Sequence, residues 1–95
     1  MAAEIDVVHD GNIKRFHVNV DGNMAFLQYR QDGNLMVIEE TQVPPELEGR
    51  GIGGALAKAA LGYARANKHQ VRVECSFVQG YLKRHPEYQD LVVTE

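Results

Sequence analysis

Apolar and polar residues alternate along the first half of the chain, and two turns interrupt the alternation. Residues 16–20 alternate with the period of a strand that is buried on one face. The segments 21–23 and 31–34 each contain Asp-Gly, which is a strong hairpin signal. The apolar segments 24–30 and 35–43 therefore complete a predicted antiparallel meander of three strands.

The third predicted strand loses its alternation at Glu39-Glu40-Thr41. An extra residue in one strand of a pair disturbs the alternation in this way, so we predict a β-bulge at this point. The strand ends at Pro44-Pro45, because neither proline can donate a main-chain hydrogen bond to a sheet.

From Ile52 onward the hydrophobic period becomes helical. Apolar residues recur at spacings of three and four, which places them on one face of a helix: Ile52, Ala55, Leu56, Ala59, Ala60, Tyr63 and Ala64. The pattern predicts an amphipathic helix that ends near Asn67, and its small alanines suit close packing on a sheet.

A short strand and a second helix follow. Residues 71–75 alternate in polarity, which predicts a strand. Ser76 is suited to cap a helix over residues 77–84, which must stop before Pro86. Residues 91–93 form either a short terminal strand or a packed tail. The element order predicts a mixed α/β domain of the α+β kind, with a mostly antiparallel central sheet, one main helix and a short C-terminal helix.

The composition is that of an ordinary globular protein. The 95 residues are 44% hydrophobic and 24% charged, with a formal net charge of −3, which suits a single domain over residues 1–95. The slight acidity argues against a nucleic-acid partner, which usually meets a basic surface. No apolar run approaches the roughly 20 residues of a membrane helix, and the N-terminus lacks the pattern of a secretory signal.

Cysteine and histidine usage narrows the expected location and cofactors. The single cysteine, Cys75, cannot form an internal disulfide, which favours a reducing, cytoplasmic location. No group of Cys and His residues has metal-ligand spacing, so we expect no metal. His9, His17 and His69 are dispersed along the sequence and are expected to be exposed.

The most distinctive segment joins the third strand to the main helix. Between Val43 and Leu56 the chain has four glycines within six residues, at positions 49–54. Glycine lets a ligand approach the backbone closely and adopts positive φ at little cost. Main-chain N–H groups and a helix N-terminus then converge on one point, which suits an anion such as a phosphate.

Other interpretations of this segment compete with a phosphate loop. Gly49, Gly51 and Gly54 fit the dinucleotide fingerprint G-x-G-x-x-G, with Glu74 about 20 residues further on. That fingerprint opens a βαβ unit, whereas a meander precedes the glycines here. A Walker A loop is excluded because no Gly-Lys-Ser/Thr follows. A purely structural turn is the remaining alternative, although four glycines exceed what one turn requires.

Two stretches of the chain resemble signatures of the GCN5-related N-acetyltransferase (GNAT) superfamily. The stretch from Val43 to Leu56 is similar to its acyl-CoA pyrophosphate loop, Gln/Arg-x-x-Gly-x-Gly/Ala after a bulged strand, and Gly51 and Gly53 match the glycines. Glu48 stands where that family has Gln or Arg. The stretch Cys75-Ser-Phe-Val-Gln-Gly-Tyr-Leu-Lys-Arg-His-Pro-Glu-Tyr resembles the C-terminal signature of small, single-domain GNAT-like proteins.

This resemblance implies a minimal GNAT-like fold with acetyl-CoA as the co-substrate. The ligand would lie in a V-shaped gap between the strand that ends at Val43 and the strand that ends at Cys75. The main chain around Val43 would bind the pantetheine arm, and N–H groups of the turn would bind the pyrophosphate. The implied ligand-binding residues are Val43, Glu48, Gly49, Arg50, Gly51, Ile52, Gly53 and Gly54. Arg50 either adds a charge-assisted contact or is a solvated loop arginine.

Two residues are candidates for the chemistry of acetyl transfer, in which an amine loses a proton and the CoA thiolate gains one. The resemblance places a cysteine at Cys75, beside a helix N-terminus that favours a thiolate. It is then a covalent acetyl carrier, an acid toward the thiolate, or a small core residue. Glu40 stands where relatives often have His. It is either a partly buried general base or one of two solvated carboxylates at the bulge.

The sequence therefore predicts an acetyl-CoA-binding protein that transfers acetyl to an undefined amine, as a monomer or weak homodimer. One alternative is a non-catalytic acyl-CoA-binding or sensing module, which the departures at Glu48 and Glu40 motivate. Another is an interaction domain in which the glycine-rich turn is only architectural. Arg84 and Lys83 are further candidates to reach the CoA 3′-phosphate, and His85 either shapes the gap or packs the tail.

Overall fold

A computed structural model describes residues 5–93 of the chain. Five strands form one sheet in the order of the sequence. They are β1 (Val8–Asp10), β2 (Arg15–Val20), β3 (Asn23–Asp32), β4 (Leu35–Gln42) and β5 (Gln70–Val73). Helix α1 (Ile52–Ala66) lies between β4 and β5, and helix α2 (Ser76–Arg84) follows β5. Short 3₁₀ segments, Pro45–Leu47 and Pro86–Leu91, precede α1 and follow α2.

The predicted meander is present, and it has one more strand at its outer edge. Strands β2, β3 and β4 pair antiparallel. Asp21 and Gly22, between β2 and β3, have φ of 52° and 82°, as a type I′ hairpin turn requires. Strand β1, which the sequence pattern did not predict, pairs antiparallel with β2. Three residues are too few for an alternating pattern to stand out.

The predicted bulge is also present. In the register between β3 and β4, Gln28 lies opposite Glu40 and Tyr29 lies opposite Ile38, so Glu39 is the extra residue. Residues two apart in a strand share a face. Without the bulge, Glu40 would share the buried face of Ile38.

The bulge decides which side chains of β4 face the helices. Beyond it, Thr41 lies opposite the fully buried Leu27 and takes the inner face, while Glu40 is exposed on the other face. Of the two alternatives predicted for Glu40, the structure shows the exposed carboxylate and not the partly buried one. The reason is the change of face that the extra residue imposes.

Strands β4 and β5 pair and then diverge. Their parallel pairing runs from Leu35 opposite Gln70 to Ile38 opposite Val73, and Glu74 N donates to Ile38 O at 2.9 Å. Strand β4 continues against β3 to Gln42, whereas the chain beyond β5 turns into α2. This divergence forms the predicted V-shaped gap. The strand predicted over residues 71–75 thus ends earlier, at Val73.

Both helices pack on the same face of the sheet, in one continuous core. The helix residues in this core are Ile52, Gly53, Leu56, Ala57, Ala60, Leu61 and Ala64 of α1, and Val78, Tyr81 and Leu82 of α2. In the predicted stripe, Ala55, Ala59 and Tyr63 are only half-buried. The buried face is rotated toward Gly53 because α2 covers that flank of α1. Neither helix has the length and apolar character to cross a membrane.

The C-terminal segment pairs with β5, and three histidines are more buried than the sequence predicted. Val92 forms a parallel bridge to Val71, and Val93 N donates to Val71 O at 2.8 Å, so residues 92–93 make a minimal terminal strand, whereas Leu91 ends the 3₁₀ segment. His9, His17 and His69 are half-buried rather than exposed. His9 lies in the unpredicted β1, where it stacks on Phe16 with ring centroids 4.2 Å apart.

Candidate functional site

A cleft of about 630 Å³ opens where β4 and β5 diverge, within the size range of small-molecule sites. Its walls are the end of β4, the glycine-rich turn with the start of α1, and one side of α2. The lining residues are Thr41, Gln42, Val43, Leu47, Glu48, Gly49, Gly51, Ile52, Gly53, Gly54, Phe77, Tyr81, Arg84 and His85. The structure thus brings together every residue predicted to bind the ligand except Arg50, which is exposed and off the cleft wall.

The start of α1 directs main-chain N–H groups toward this cleft. Gly51 is the N-cap residue, in the left-handed region at φ 77°, and Gly49 has φ 82°. The first helical hydrogen bond joins Ala55 N to Gly51 O at 3.1 Å, so the N–H groups of residues 51–54 have no partner within the helix. Gly51 has no side chain to cap them, and no acidic residue lies in the first turn. This arrangement favours an anion.

Gly53 serves a different purpose, the close approach of α2. A Cβ at Gly53 would lie 2.6 Å from Phe77 Cζ, well inside contact distance. Phe77 is 40% exposed and forms an apolar wall beside the start of α1. A Cβ at Gly54 would make an ordinary contact with Tyr81 Cε1 at 3.6 Å. Backbone conformation and a close approach therefore account for three of the four glycines, which goes beyond a simple tight turn.

Helix α2 contributes a face that the sequence analysis only partly assigned. Phe77, Tyr81 and Arg84 all line the cleft. Their spacing of i, i+4 and i+7 is that of one helical face, and this signal was available in the sequence. The side chain of Arg84 is exposed and places a cation on the cleft wall. Phe77 and Tyr81 were missed because aromatic residues at helical spacing are equally consistent with core packing.

Tyr81 is the most deeply placed polar side chain of this helical face. It is 6% exposed, and its ring stacks on His85 with centroids 4.1 Å apart. Burial raises the pKa of the Tyr81 phenol, so the hydroxyl stays protonated at neutral pH. His85 lies on the cleft wall, with its Nδ1 3.5 Å from Glu87 Oε2. His85 thus lines the gap and also contacts the C-terminal segment, so both of its predicted roles stay open.

Cys75 lies at the inner end of the gap but off the cleft wall. It is 7% exposed and belongs to the core. Its Sγ donates to Thr41 Oγ1 at 3.4 Å, and Thr41 lines the cleft. Cys75, rather than the predicted Ser76, is the N-cap residue of α2, and no side-chain capping bond forms. Its interpretation as a core residue agrees with this position, and its catalytic role stays a prediction.

Glu40 lies outside the cleft. Its Oε2 accepts a hydrogen bond from Gln42 Nε2 at 2.8 Å on the exposed face of β4. The neighbouring Glu39 pairs with Arg30 at 2.7 Å. The arrangement agrees with the alternative of two solvated carboxylates at the bulge, and a role for Glu40 as a base stays a prediction without support from this geometry. Among residues 5–93, no three His, Cys, Asp or Glu side chains group in a way that could hold a metal ion.

The sequence of the chain and its fold both match known proteins. Residues 15–91 match the sequence model of the GCN5-related N-acetyltransferase family. The chain belongs to this family. It is 35% identical over 85 residues to Protein NATD1 of Gallus gallus, an alignment that covers 86% of this chain and 77% of that protein. Protein NATD1 of Homo sapiens shows the same identity, over 86% of this chain and 75% of the relative.

A solved structure supports the same assignment at the level of the fold. It is the NMR structure of a GCN5-like protein from Staphylococcus aureus, proposed to be an N-acetyltransferase, and it superposes with a TM-score of 0.75 at 30% sequence identity. The match covers 96% of this chain and 90% of that one. The minimal GNAT-like fold predicted from the two sequence signatures is therefore confirmed.

Proposed function

We propose that this GNAT-family protein binds acetyl-CoA in the cleft and transfers the acetyl group to an amine. The observation that carries the proposal is the continuity of the cleft. One cavity joins the N–H groups at the start of α1 to the end of β4, where β5 has diverged. A pyrophosphate on the turn and an extended arm along residues 41–43 match these two walls.

The free edge of β4 suits the amide groups of a pantetheine arm. Pairing with β5 stops at Ile38, whereas β4 continues to Gln42. Backbone N–H and C=O groups beyond Ile38 on this edge need partners from solvent or from a ligand. An arm that carries amides can pair with them much as an added strand does.

The cleft wall also holds groups suited to the chemistry. Transfer requires that the amine lose a proton and that the leaving thiolate be stabilised. The protonated phenol of Tyr81 is a hydrogen-bond donor in the cleft. Glu48 and His85 are the side chains on the wall that can accept a proton, among residues 5–93. In this proposal Glu48 and His85 replace Glu40, which is exposed outside the cleft, as the candidate proton acceptors.

An amide-resolved NMR titration with acetyl-CoA, combined with an assay of thiol release, tests this proposal. We expect shifts concentrated at residues 49–56 and at Thr41, and release of free CoA only when an amine is present. A panel of small amines, polyamines and peptides with free N-termini or lysines would then identify the acceptor. Absence of shifts at millimolar acetyl-CoA would refute binding and leave the turn as architecture.

A second candidate function is acyl-CoA binding without transfer. Two observations favour it: the Cys75 thiol lies off the cleft wall, and the Glu40 carboxylate lies on the other face of β4. Glu48 also places a negative charge where the GNAT signature that this segment resembles has Gln or Arg. Binding without amine-dependent thiol release, across the whole amine panel, would select this function over transfer.

A further inference from the structure

We infer that Thr41 contacts the reacting thioester and that Cys75 acts through Thr41 as a positioning residue. The inference rests on the proposed function, because it requires acetyl-CoA in the cleft. It assigns the contact to a hydroxyl that the two sequence signatures did not single out. It also gives the cysteine a role without direct contact to the ligand.

Thr41 and Cys75 lie across from each other in the V-shaped gap. The paired part of β4 and β5 closes with the bond from Glu74 N to Ile38 O. Thr41 and Cys75 follow shortly after this bond, one on each arm of the V, and their side chains join across it at 3.4 Å. The pair therefore lies at the narrow inner end of the gap.

The side chains of Thr41 and Cys75 differ in their access to the cleft. Thr41 is half-buried and forms part of the cleft wall, whereas Cys75 is 7% exposed and packs in the core. A ligand in the cleft meets the hydroxyl first. The bulge at Glu39 is what turns Thr41 to this face, since without it Glu40 would point inward.

The direction of the hydrogen bond between the two side chains orients the Thr41 hydroxyl. A threonine hydroxyl has one donor and can accept twice. The Cys75 thiol donates to Thr41 Oγ1 and so occupies an acceptor position of that oxygen. The single O–H of Thr41 is thereby left to donate elsewhere, and the open direction is the cleft. Cys75 acts on the ligand only through this orientation.

In the proposed complex the thioester of acetyl-CoA lies beside Thr41. Anion-binding N–H groups lie at residues 51–54, beyond the 3₁₀ segment that follows β4. An arm that runs from there along β4 toward the narrow end of the gap brings its acyl end to Thr41.

When the amine attacks, the C–N bond forms and the C–S bond breaks, with the electron pair left on sulfur. The amine loses one proton overall and the thiolate gains one, so Thr41 stabilises the sulfur and ends the cycle unchanged.

Four single variants and one double variant test this inference by kcat, KM and the Kd for acetyl-CoA. Thr41→Val keeps the shape without the hydroxyl, and Thr41→Ser keeps the hydroxyl. We expect Thr41→Val to lower kcat about tenfold or more, the loss of one hydrogen bond to a charged group, with the Kd nearly unchanged. Thr41→Ser should retain most of the activity. Cys75→Ala should lower kcat, whereas Cys75→Ser, which keeps a hydrogen-bond donor, should retain most of the wild-type kcat.

The double variant separates positioning from an independent role. If Cys75 acts only through Thr41, Cys75→Ala in the Thr41→Val background lowers kcat no further. An additional loss in the double variant, or an acetyl group found on Cys75 by mass spectrometry, would overturn the inference. So would an unchanged kcat in Thr41→Val that still binds acetyl-CoA.

A binding measurement keeps the inference testable if no amine supports turnover. Signals of Thr41 should shift with acetyl-CoA but not with adenosine bisphosphate, which lacks the pantetheine arm. Shifts at residues 49–54 without a response at Thr41 would overturn the inference while leaving acetyl-CoA binding intact. If wild-type protein shows no shifts at all, the proposed function itself fails.

Discussion

The glycines in the turn between β4 and α1 are required for different structural reasons. Gly49 and Gly51 adopt positive φ in open space, because a Cβ at either position would meet no atom within 4 Å. Gly53 has ordinary φ but lies against Phe77. Backbone strain and ligand access can therefore be probed independently by substitution at different glycines.

The variant Gly51→Ala tests the link between the N-cap conformation and ligand binding. A left-handed alanine costs about 1–2 kcal/mol, so we expect destabilisation of that size together with weaker acetyl-CoA binding. Gly22→Ala is a matched control, with φ 82° against 77° and no atom within 4 Å at either position. It should lose similar stability and keep its affinity. Urea unfolding and NMR titration measure the two effects, and equal affinity in the two variants would contradict the assignment of the turn.

The variant Gly53→Ala tests the close approach of α2. The new Cβ forces the Phe77 ring to move, and the ring is exposed enough to do so toward the cleft. We expect acetyl-CoA affinity to fall about tenfold while the free energy of unfolding changes by no more than about 1 kcal/mol. Gly62→Ala, at an open position on the same helix, should be neutral or stabilising and leave the Kd unchanged. A normal Kd for Gly53→Ala would show that Phe77 does not border the ligand.

At the scale of elements, the sequence predicted most of the sheet and both helices, because their hydrophobic periods are long and regular. The bulge at Glu39 was also predictable, since it breaks the alternation of β4. The faces of β4 on which Glu40 and Thr41 lie were not predictable. One extra residue exchanges the two faces, and the loss of alternation does not reveal which residue is extra. The sequence therefore left the position of Glu40 open between a partly buried and an exposed carboxylate, and the structure shows the exposed one.

Contacts between elements set the other limits of prediction. The buried face of α1 depends on where α2 lies, and the period within α1 alone cannot reveal this. Strand β1 has only three residues, and its attachment depends on an aromatic cluster drawn from four separate segments. The hydrophobic pattern within one segment does not reveal contacts among four segments. The cleft wall from α2 was visible in the spacing of Phe77, Tyr81 and Arg84, but core packing explained that spacing equally well.

The attachment of β1 predicts a dependence of stability on pH. His9 stacks on Phe16, lies edge-on to Tyr63 with centroids 4.5 Å apart, and shares a hydrogen bond of 2.6 Å with the Tyr29 hydroxyl. Burial lowers the His9 pKa from 6.5; the negative charge of Asp10 opposes this with a smaller effect, and the positive charge of Lys14 adds slightly to it. The fold thus prefers the neutral ring. Stability from this source is complete above about pH 6.5 and declines as the pH falls from there through the folded-state pKa.

The variant His9→Gln should flatten this decline because it removes the titrating ring. Urea unfolding of the wild type and the variant between pH 7.5 and 5 measures the difference in slope, and the amides of β1 should report local loss first. His17→Gln is the control, since His17 lies opposite Phe26 on the other face of the sheet, outside the cluster. An identical pH slope in His9→Gln and the wild type would rule out the coupling.

At the scale of the whole molecule, charge is distributed unevenly between the two faces of the sheet. The face away from the helices carries cations that are already engaged: the Arg15 guanidinium lies 4.0 Å from the centroid of the Phe26 ring, and Arg30 pairs with Glu39 at 2.7 Å. Arg65 pairs with Asp90 at 2.9 Å near the C-terminal segment. Within residues 5–93, by contrast, Arg84 on the cleft wall has no ion-pair partner.

This distribution predicts that Arg84 supplies the attraction for a phosphorylated ligand. The chain has a formal net charge of −3, so its overall field repels an anion and binding depends on local cations and helix N–H groups. Arg84→Gln should therefore weaken acetyl-CoA binding several-fold at low salt, with a smaller effect at about 1 M salt, where the screening length falls to about 3 Å.

Lys58→Gln removes the same charge from an exposed position of α1 and should have little effect. Arg50→Gln should fall between the two, since Arg50 belongs to the glycine-rich turn but lies off the cleft wall. If all three variants weaken binding equally and lose the effect together in salt, the attraction comes from net charge alone. If Arg84→Gln stands apart, the cation on α2 and the N–H groups of α1 hold the ligand from opposite walls of one cleft.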